Sequence, residues 1–319
     1  MFRAVVLAMA VGVAGCPPRE PVPHRTSAVR PLSPLPIEEA VQRINSNAQS
    51  VRGALQARGA FARGYFTDVD GRRRTFDNEA SILVYPPRHL RFEMKVIGRS
   101  VMLFGSNATR YWLATRTDGD ALWWGRHARA GSLEIRGVAL QPVTIIQALG
   151  VGTIAPTTHR VQRVTMEHQQ ILLLEKGADD TLYVAREYWL SRAPGRALVR
   201  VVVRSPDGEV AMDANLSGHA RVEPDGPTLP DRIVIDWPSA KGRLVLTCRS
   251  WKMIPRVDRT FAGFAFPLDR GETYDRVIDI DRRFGPNDRP QPPESAPTFD
   301  DRPPRSDAQT RTWPTGHRG

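Results

Sequence analysis

The chain has 319 residues, a formal charge of +11 and 41% hydrophobic residues, enough length and apolar content to bury a sizeable core. Two cysteines, Cys16 and Cys248, exclude a disulfide framework. The positive charge is almost all arginine, since Lys95, Lys176, Lys241 and Lys252 are the only lysines, and a basic balance alone does not choose between nucleic acid, anionic lipid and no specific partner.

The front end narrows that choice. Arg3 precedes the uncharged run "AVVLAMAVGVAG", Ala4 to Gly15. A membrane-spanning helix needs roughly 20 apolar residues, so this run is too short and instead fits the apolar region of a secretory signal peptide. It ends Val13-Ala14-Gly15-Cys16, which resembles the lipobox of bacterial lipoproteins. The chemistry asks for these residue types. A thiolate accepts a diacylglycerol as a thioether, and the small residues Ala14 and Gly15 let a peptidase reach the backbone. Cleavage between Gly15 and Cys16 then leaves an acylated N-terminus. The alternative is a plain secretory signal with an incidental cysteine. The resemblance implies a signal peptide over residues 1–15, a membrane anchor at lipidated Cys16, and an address in the cell envelope. Pro17 stands where an aspartate would retain an enterobacterial lipoprotein in the inner membrane, so the expected location is the outer membrane, facing the periplasm. No nucleic-acid partner is expected there. Cys248, in "RLVLTCRSW", is expected to pack as a small buried hydrophobe.

Residues 16–36 form the expected tether. Seven prolines lie between Pro17 and Pro36, which makes the segment extended and semi-rigid. One domain follows over residues 37–284. Its first element is a helix, since Ile37, Val41, Ile44, Ala48, Val51 and Leu55 form one apolar stripe, with Glu38 and Glu39 at its positive end and Gly59 at its close. "GRRRT", Gly71 to Thr75, follows the turn signal "DVDG" and reads as a solvated turn. The period then becomes two: Leu90, Phe92, Met94 and Val96 alternate with Arg91, Glu93 and Lys95 in a half-buried strand. "SVMLFGSN" returns as a hairpin, and "RYWLATRTDGDALWWGRH" reads as two strands about "DGD". "LQPVTIIQALG", Leu140 to Gly150, breaks the pattern with a short helix placing Val143, Ile146 and Leu149 on one face. Two further strand pairs turn at "PDG" and "PSAKG". Residues 285–319 carry five arginines and five acids with little apolar content and read as a disordered tail. The expected fold class is therefore α+β, mainly β: a helix, about five strands, a short helix and about six more strands. An antiparallel sheet of that size must curl or close, with the two helices covering its open side.

This order of elements resembles the LolA/LolB superfamily of periplasmic lipoprotein carriers and acceptors. "PPRHLRFEMKVIGRSVMLFGSNATRYWL" (Pro86 to Leu113) is similar to the family's hairpins, and Tyr188 to Lys252, with Leu229-Pro230 at a strand entry, resembles its later run of strands. The resemblance implies a half-open β-barrel whose helices form a lid over an apolar cavity, and lipid or lipoprotein acyl chains as the ligand.

No catalytic pattern stands out. His24, His89, His127, His159, His168, His219 and His317 share no short metal-type spacing. "GVGTIAP" lacks the lysine of a phosphate loop, and no G-x-S-x-G occurs. No enzyme activity, metal or cofactor is expected. In a curled sheet one face lines the concavity, and Leu90, Phe92, Met94, Met102, Phe104, Trp112 and Trp124 are the candidate lining, since methionines and aromatics adapt to acyl chains. The expectation is a monomeric envelope lipoprotein that binds a hydrophobic ligand, possible roles being lipoprotein or lipid transport or insertion. The first alternative is a scaffold or a stress-sensing regulatory lipoprotein that binds a protein partner. The second is a cell-wall or lipid hydrolase with a dispersed site.

Overall fold

The last residues of the expected tether are held to the body. Leu32 N–H donates to the Arg192 carbonyl at 2.8 Å, and the Gln169 side chain brackets Leu35, accepting from its N–H and donating to its carbonyl, each at 2.9 Å. The computed structural model describes residues 30–67, 71–116, 120–128, 142–177, 179–255, 257 and 261–283. The expected signal peptide with Gly15, the lipidation site Cys16, the tether up to residue 29 and the tail 285–319 lie outside the described residues. Among the described residues no helix is long and apolar enough to cross a membrane.

Helix α1 (Ile37–Gln49) buries Ala40, Val41, Ile44 and Ala48 and carries Glu38 and Glu39 in its first turn. It is shorter than the apolar stripe suggests. Leu55 belongs instead to strand β1 (Ala54–Arg58), where it pairs with Met253 and Val84. A Cβ at Gly53 would lie 2.3 Å from the Ile254 carbonyl oxygen. That close approach requires glycine and draws the chain into an extended pairing where a helix would otherwise continue.

The sheet is wider than the turn signals suggested. Strands β2 (Ala60–Thr67), β3 (Arg73–Tyr85), β4 (His89–Val96), β5 (Arg99–Ser106), β6 (Arg110–Thr115) and β7 (Ala121–Arg126) follow β1, then helix α2 (Pro142–Ala148). After it come β8 (His159–Val164), β9 (His168–Lys176), β10 (Leu182–Ser191), β11 (Leu198–Arg204), β12 (Val210–Arg221), β13 (Thr228–Trp237), β14 (Gly242–Thr247), β15 (Ser250–Ile254) and β16 (Arg276–Asp279), closed by α3 (Ile280–Arg283). The last three residues of "GRRRT", Arg73 to Thr75, open β3 instead of staying in a turn, although the whole segment is exposed. The spatial order is β16-β7-β6-β5-β4-β3-β2-β14-β13-β12-β11-β10-β9-β8, with β1 on β15 and β3. Every pair is antiparallel except β16 on β7.

Two antiparallel wings, β3 to β7 and β8 to β13, meet where β2 pairs with β14. The strands on both sides of the seam are interrupted at one level. β2 breaks from β1 at Gly59, whose φ is +56°, and beside it Arg249 N–H donates to the Arg58 carbonyl at 2.9 Å between β14 and β15. The sheet curls without closing, since β8 and β16 remain as edges. Its concave face carries the main core, which includes residues of both wings and of α1, α2 and α3. Helix α1 is pinned by Asn45, which exchanges two hydrogen bonds with Ile154 at 2.8 and 2.9 Å, and by Asn47, which accepts from Thr228 N–H at 2.7 Å. The short helix α2 is buried almost all round, Val143 excepted, because it sits inside the curl.

Candidate functional site

The concave face is set by strand parity, and the register fixes which side chains share it. Leu90, Phe92 and Met94 of β4 lie opposite Ser106, Phe104 and Met102 of β5. Phe104 in turn lies opposite Leu113 of β6, and Met102 opposite Thr115. Residues directly opposite in an antiparallel pair project to one face. These side chains therefore form one continuous surface on the concave side.

That surface encloses an apolar cavity of about 130 Å³. Leu90, Phe92, Met94, Met102 and Phe104 all line it. Ile145 of α2 and Leu149 just after it reach it from the helix side, and Leu244, Leu246 and Trp237 close it from across the seam. Tyr65, Phe66 and Phe76 stand half-buried at its margin. Thr115 is a polar exception. Among the described residues its buried Oγ1 has no hydrogen-bond partner.

Trp112 and Trp124 do not line this cavity. Trp112 lies opposite Gly105 and Trp124, so both indoles project from the convex face. There the returning C-terminal segment covers them. Phe266 stacks edge-on against Trp112 at 5.4 Å and tilts against Trp124 at 5.7 Å. Around them Leu103, Ala114 and Leu122 form a separate small core. A Cβ at Gly105 would fall 2.2 Å from the Trp112 ring, so glycine there lets the indole lie flat on the sheet. Both faces of β6 are thus buried, and the alternation that reveals parity in β4 is missing. Leu113 and Thr115, not singled out from the sequence, are the β6 residues that face inward. Propagating parity from Phe104 through the hairpin turn would have found them.

Polar groups gather at the β7 end of the concave face. Asp281 of α3 is 3% exposed and accepts from the Arg126 backbone N–H at 3.0 Å and its guanidinium at 3.2 Å. Tyr111 nearby is pushed up to about 12, first by burial and then by the Asp281 charge. His127 Nε2 lies 3.1 Å from Ser106 Oγ and 2.9 Å from the Asn107 carbonyl, and burial holds its pKa below the usual histidine value. The Ser106 hydroxyl is fully buried and donates to the Arg88 carbonyl at 2.5 Å. A hydroxyl whose proton is held by a backbone carbonyl is not activated by the neighbouring imidazole. Among the described residues no group of three or more His, Cys, Asp or Glu is placed to hold a metal. Cys248 is a free, half-buried thiol packed against the core. Burial and then Asp231 push it up to about 11, so it is protonated and unreactive near neutral pH.

No family model matches the chain, and no curated protein does. Solved structures do. The chain is similar to a LolA superfamily protein from Nitrosomonas europaea at 11% identity, covering 72% of this chain and 98% of that one with a TM-score of 0.43. It is similar to a candidate outer-membrane lipoprotein-sorting protein domain from Vibrio parahaemolyticus at 10% identity, 69% and 94% coverage and a TM-score of 0.43. A DUF1329 family protein from Desulfovibrio piger matches at 7% identity, 73% and 98% coverage and a TM-score of 0.46.

Proposed function

We propose that this protein is a bacterial envelope lipoprotein, anchored through Cys16, that carries the acyl chains of a lipid or lipoprotein inside its curled sheet. The observation that carries this reading is the apolar cavity of about 130 Å³ between β4–β6, the seam and α2. An apolar cavity of comparable size, about 150 Å³, stays dry and accepts a benzene ring. By that measure this one holds about six carbons, worth roughly 5 kcal/mol at about 0.8 kcal/mol per methylene. A longer chain passes out between Tyr65, Phe66 and Phe76, where the margin is only half-buried. The ligand is held by burial alone, with no covalent step. The N-terminal lipid and residues 16–36 place the carrier at the membrane that supplies or receives the chains.

The test is lipid mass spectrometry on the full-length Cys16→Ser chain, recovered from cells without its own acyl groups. Stoichiometric lipid is expected. It is lost in Met102→Lys, which places a charge at the cavity, and kept in Trp124→Gln, on the convex face. If neither cellular lipid nor an added fluorescent fatty acid binds the unsubstituted cavity, the reading is wrong.

A further inference from the structure

A second concavity lies beside α1 and reaches Gly150, just past the end of α2. It has a volume of about 720 Å³, within the range of about 300–1,000 Å³ usual for small-molecule sites. The solvent-facing side of α1 forms one wall, and the turns of β10–β11 and β12–β13 form the other. The two sites are back to back: Leu149 lines the apolar cavity and Gly150 lines this one.

Four arginines enter this pocket: Arg43 and Arg52 from α1 and the residues after it, Arg196 from the β10–β11 turn, and Arg221 from the end of β12. Among the described residues none of them makes an ion pair, although Glu39 and Asp225 also line the walls. Arg43 is committed to structure, donating through Nε to the Arg196 carbonyl at 3.2 Å and through its terminal nitrogen to Gly195. Arg196 and Arg221 are each bonded to a single backbone carbonyl, Ser33 at 2.7 Å and Pro224 at 2.9 Å. A guanidinium has five donors, so most of theirs remain open to the pocket. The turn that presents Arg196 is unusual. Gly195 and Arg196 both adopt positive φ, +89° and +45°, and the left-handed region is uncommon for a residue other than glycine, asparagine or aspartate. Arg43 feels its neighbours: burial and the charges of Arg196 and Arg221 hold it below the usual arginine value. His219 also lines the pocket but donates through Nε2 to the Leu198 carbonyl at 2.8 Å, and burial lowers its pKa, so it adds little charge.

We propose that Arg196, Arg221, Arg52 and Arg43 form a binding site for a phosphate-bearing anion. Guanidinium forks match phosphate oxygens two at a time, and several converging cations suit a multiply charged group better than a lone carboxylate. The inner wall is apolar, with Leu190, Leu198 and Leu216 beside the arginines, so a phosphate with a short hydrocarbon portion fits as well as a free one. The site does not depend on the apolar cavity holding lipid.

The experiment is titration calorimetry of the full-length chain with inorganic phosphate, and separately with dihexanoyl phosphatidic acid below its micelle concentration. Phosphate is expected to bind with saturation and to weaken as salt rises. Arg196→Gln together with Arg221→Gln should weaken it about tenfold or more, the loss of about 1.4 kcal/mol or more, while near-UV circular dichroism stays unchanged. Arg221→Gln alone, whose carbonyl bond stays within its own turn, should lose part of that. Equal affinity for both probes assigns the site to soluble phosphates; tighter binding of the phosphatidic acid by about tenfold assigns it to a headgroup with its chain on the leucine wall. The proposal is overturned if neither probe binds, or if the double variant binds both as well as the parent chain does.

Discussion

Replacing Thr115 by valine should stabilise the protein. Thr115 ends β6, is 8% exposed and faces the apolar cavity between Met102 and Ala121. Its hydroxyl is buried with no hydrogen-bond partner among the described residues. An unpaired buried hydroxyl costs about 1–3 kcal/mol, and Thr115→Val keeps the shape while replacing that oxygen by a methyl group. The expected gain is about 2 kcal/mol. For a body of this size, 1 kcal/mol moves Tm by roughly 2–4 °C, so Tm should rise by about 4–8 °C. Thermal unfolding followed by near-UV circular dichroism reads this directly, because Trp123 and Tyr111 sit on the same face. Binding of a fluorescent fatty acid should persist, since the cavity volume is unchanged. A fall in Tm would refute the reasoning. It would mean that the hydroxyl has a partner in solution, and a cavity wet enough to supply one would lose the driving force for taking up acyl chains.

On the convex face, Gly105→Ala should destabilise by about 1–3 kcal/mol, since its Cβ meets the Trp112 ring at 2.2 Å and no flexible end can yield; chemical denaturation measures it, and a neutral result would place Trp112 elsewhere. Cys248 should react slowly with a thiol reagent at pH 8 and faster as pH rises toward about 11, because burial raises its pKa; equal rates in folded and urea-unfolded protein would contradict this. Tyr111 and Tyr274 are both pushed up to about 12 in the folded state. A raised pKa gives stability that is complete below the unfolded value of about 10 and is lost as pH climbs from there through 12, so the alkaline limb of a stability profile should fall in that window, and less steeply in Tyr111→Phe. Cys16→Ser should abolish palmitate labelling and move the chain from the membrane fraction to the soluble one; labelling that persists would remove the anchor.

The mainly β class, the N-terminal helix and the hairpins were legible because their determinants are local. In β4 charged residues alternate with apolar ones, so Leu90, Phe92 and Met94 announce a shared face, and the glycines and "DGD" or "PDG" turns announce the returns. The same rule failed one hairpin later. In β6 and β7 both faces are apolar, because Phe266, far along the chain, covers the convex side. Size then pointed to Trp112 and Trp124, whereas only the register with β5 shows that Leu113 and Thr115 face inward. Leu55 fitted a helical stripe by spacing, and its pairing with Met253 drew it into a strand. The seam between β2 and β14 joins segments far apart in the chain, and the basic pocket gathers Arg43, Arg196 and Arg221 from three elements that share no motif. The sequence alone determined which stretches extend, which coil and where they turn, since those preferences act over a few neighbouring residues. The tertiary structure decided which face of each strand is inside and which distant charges meet, since both depend on burial and pairing between segments that only folding brings together.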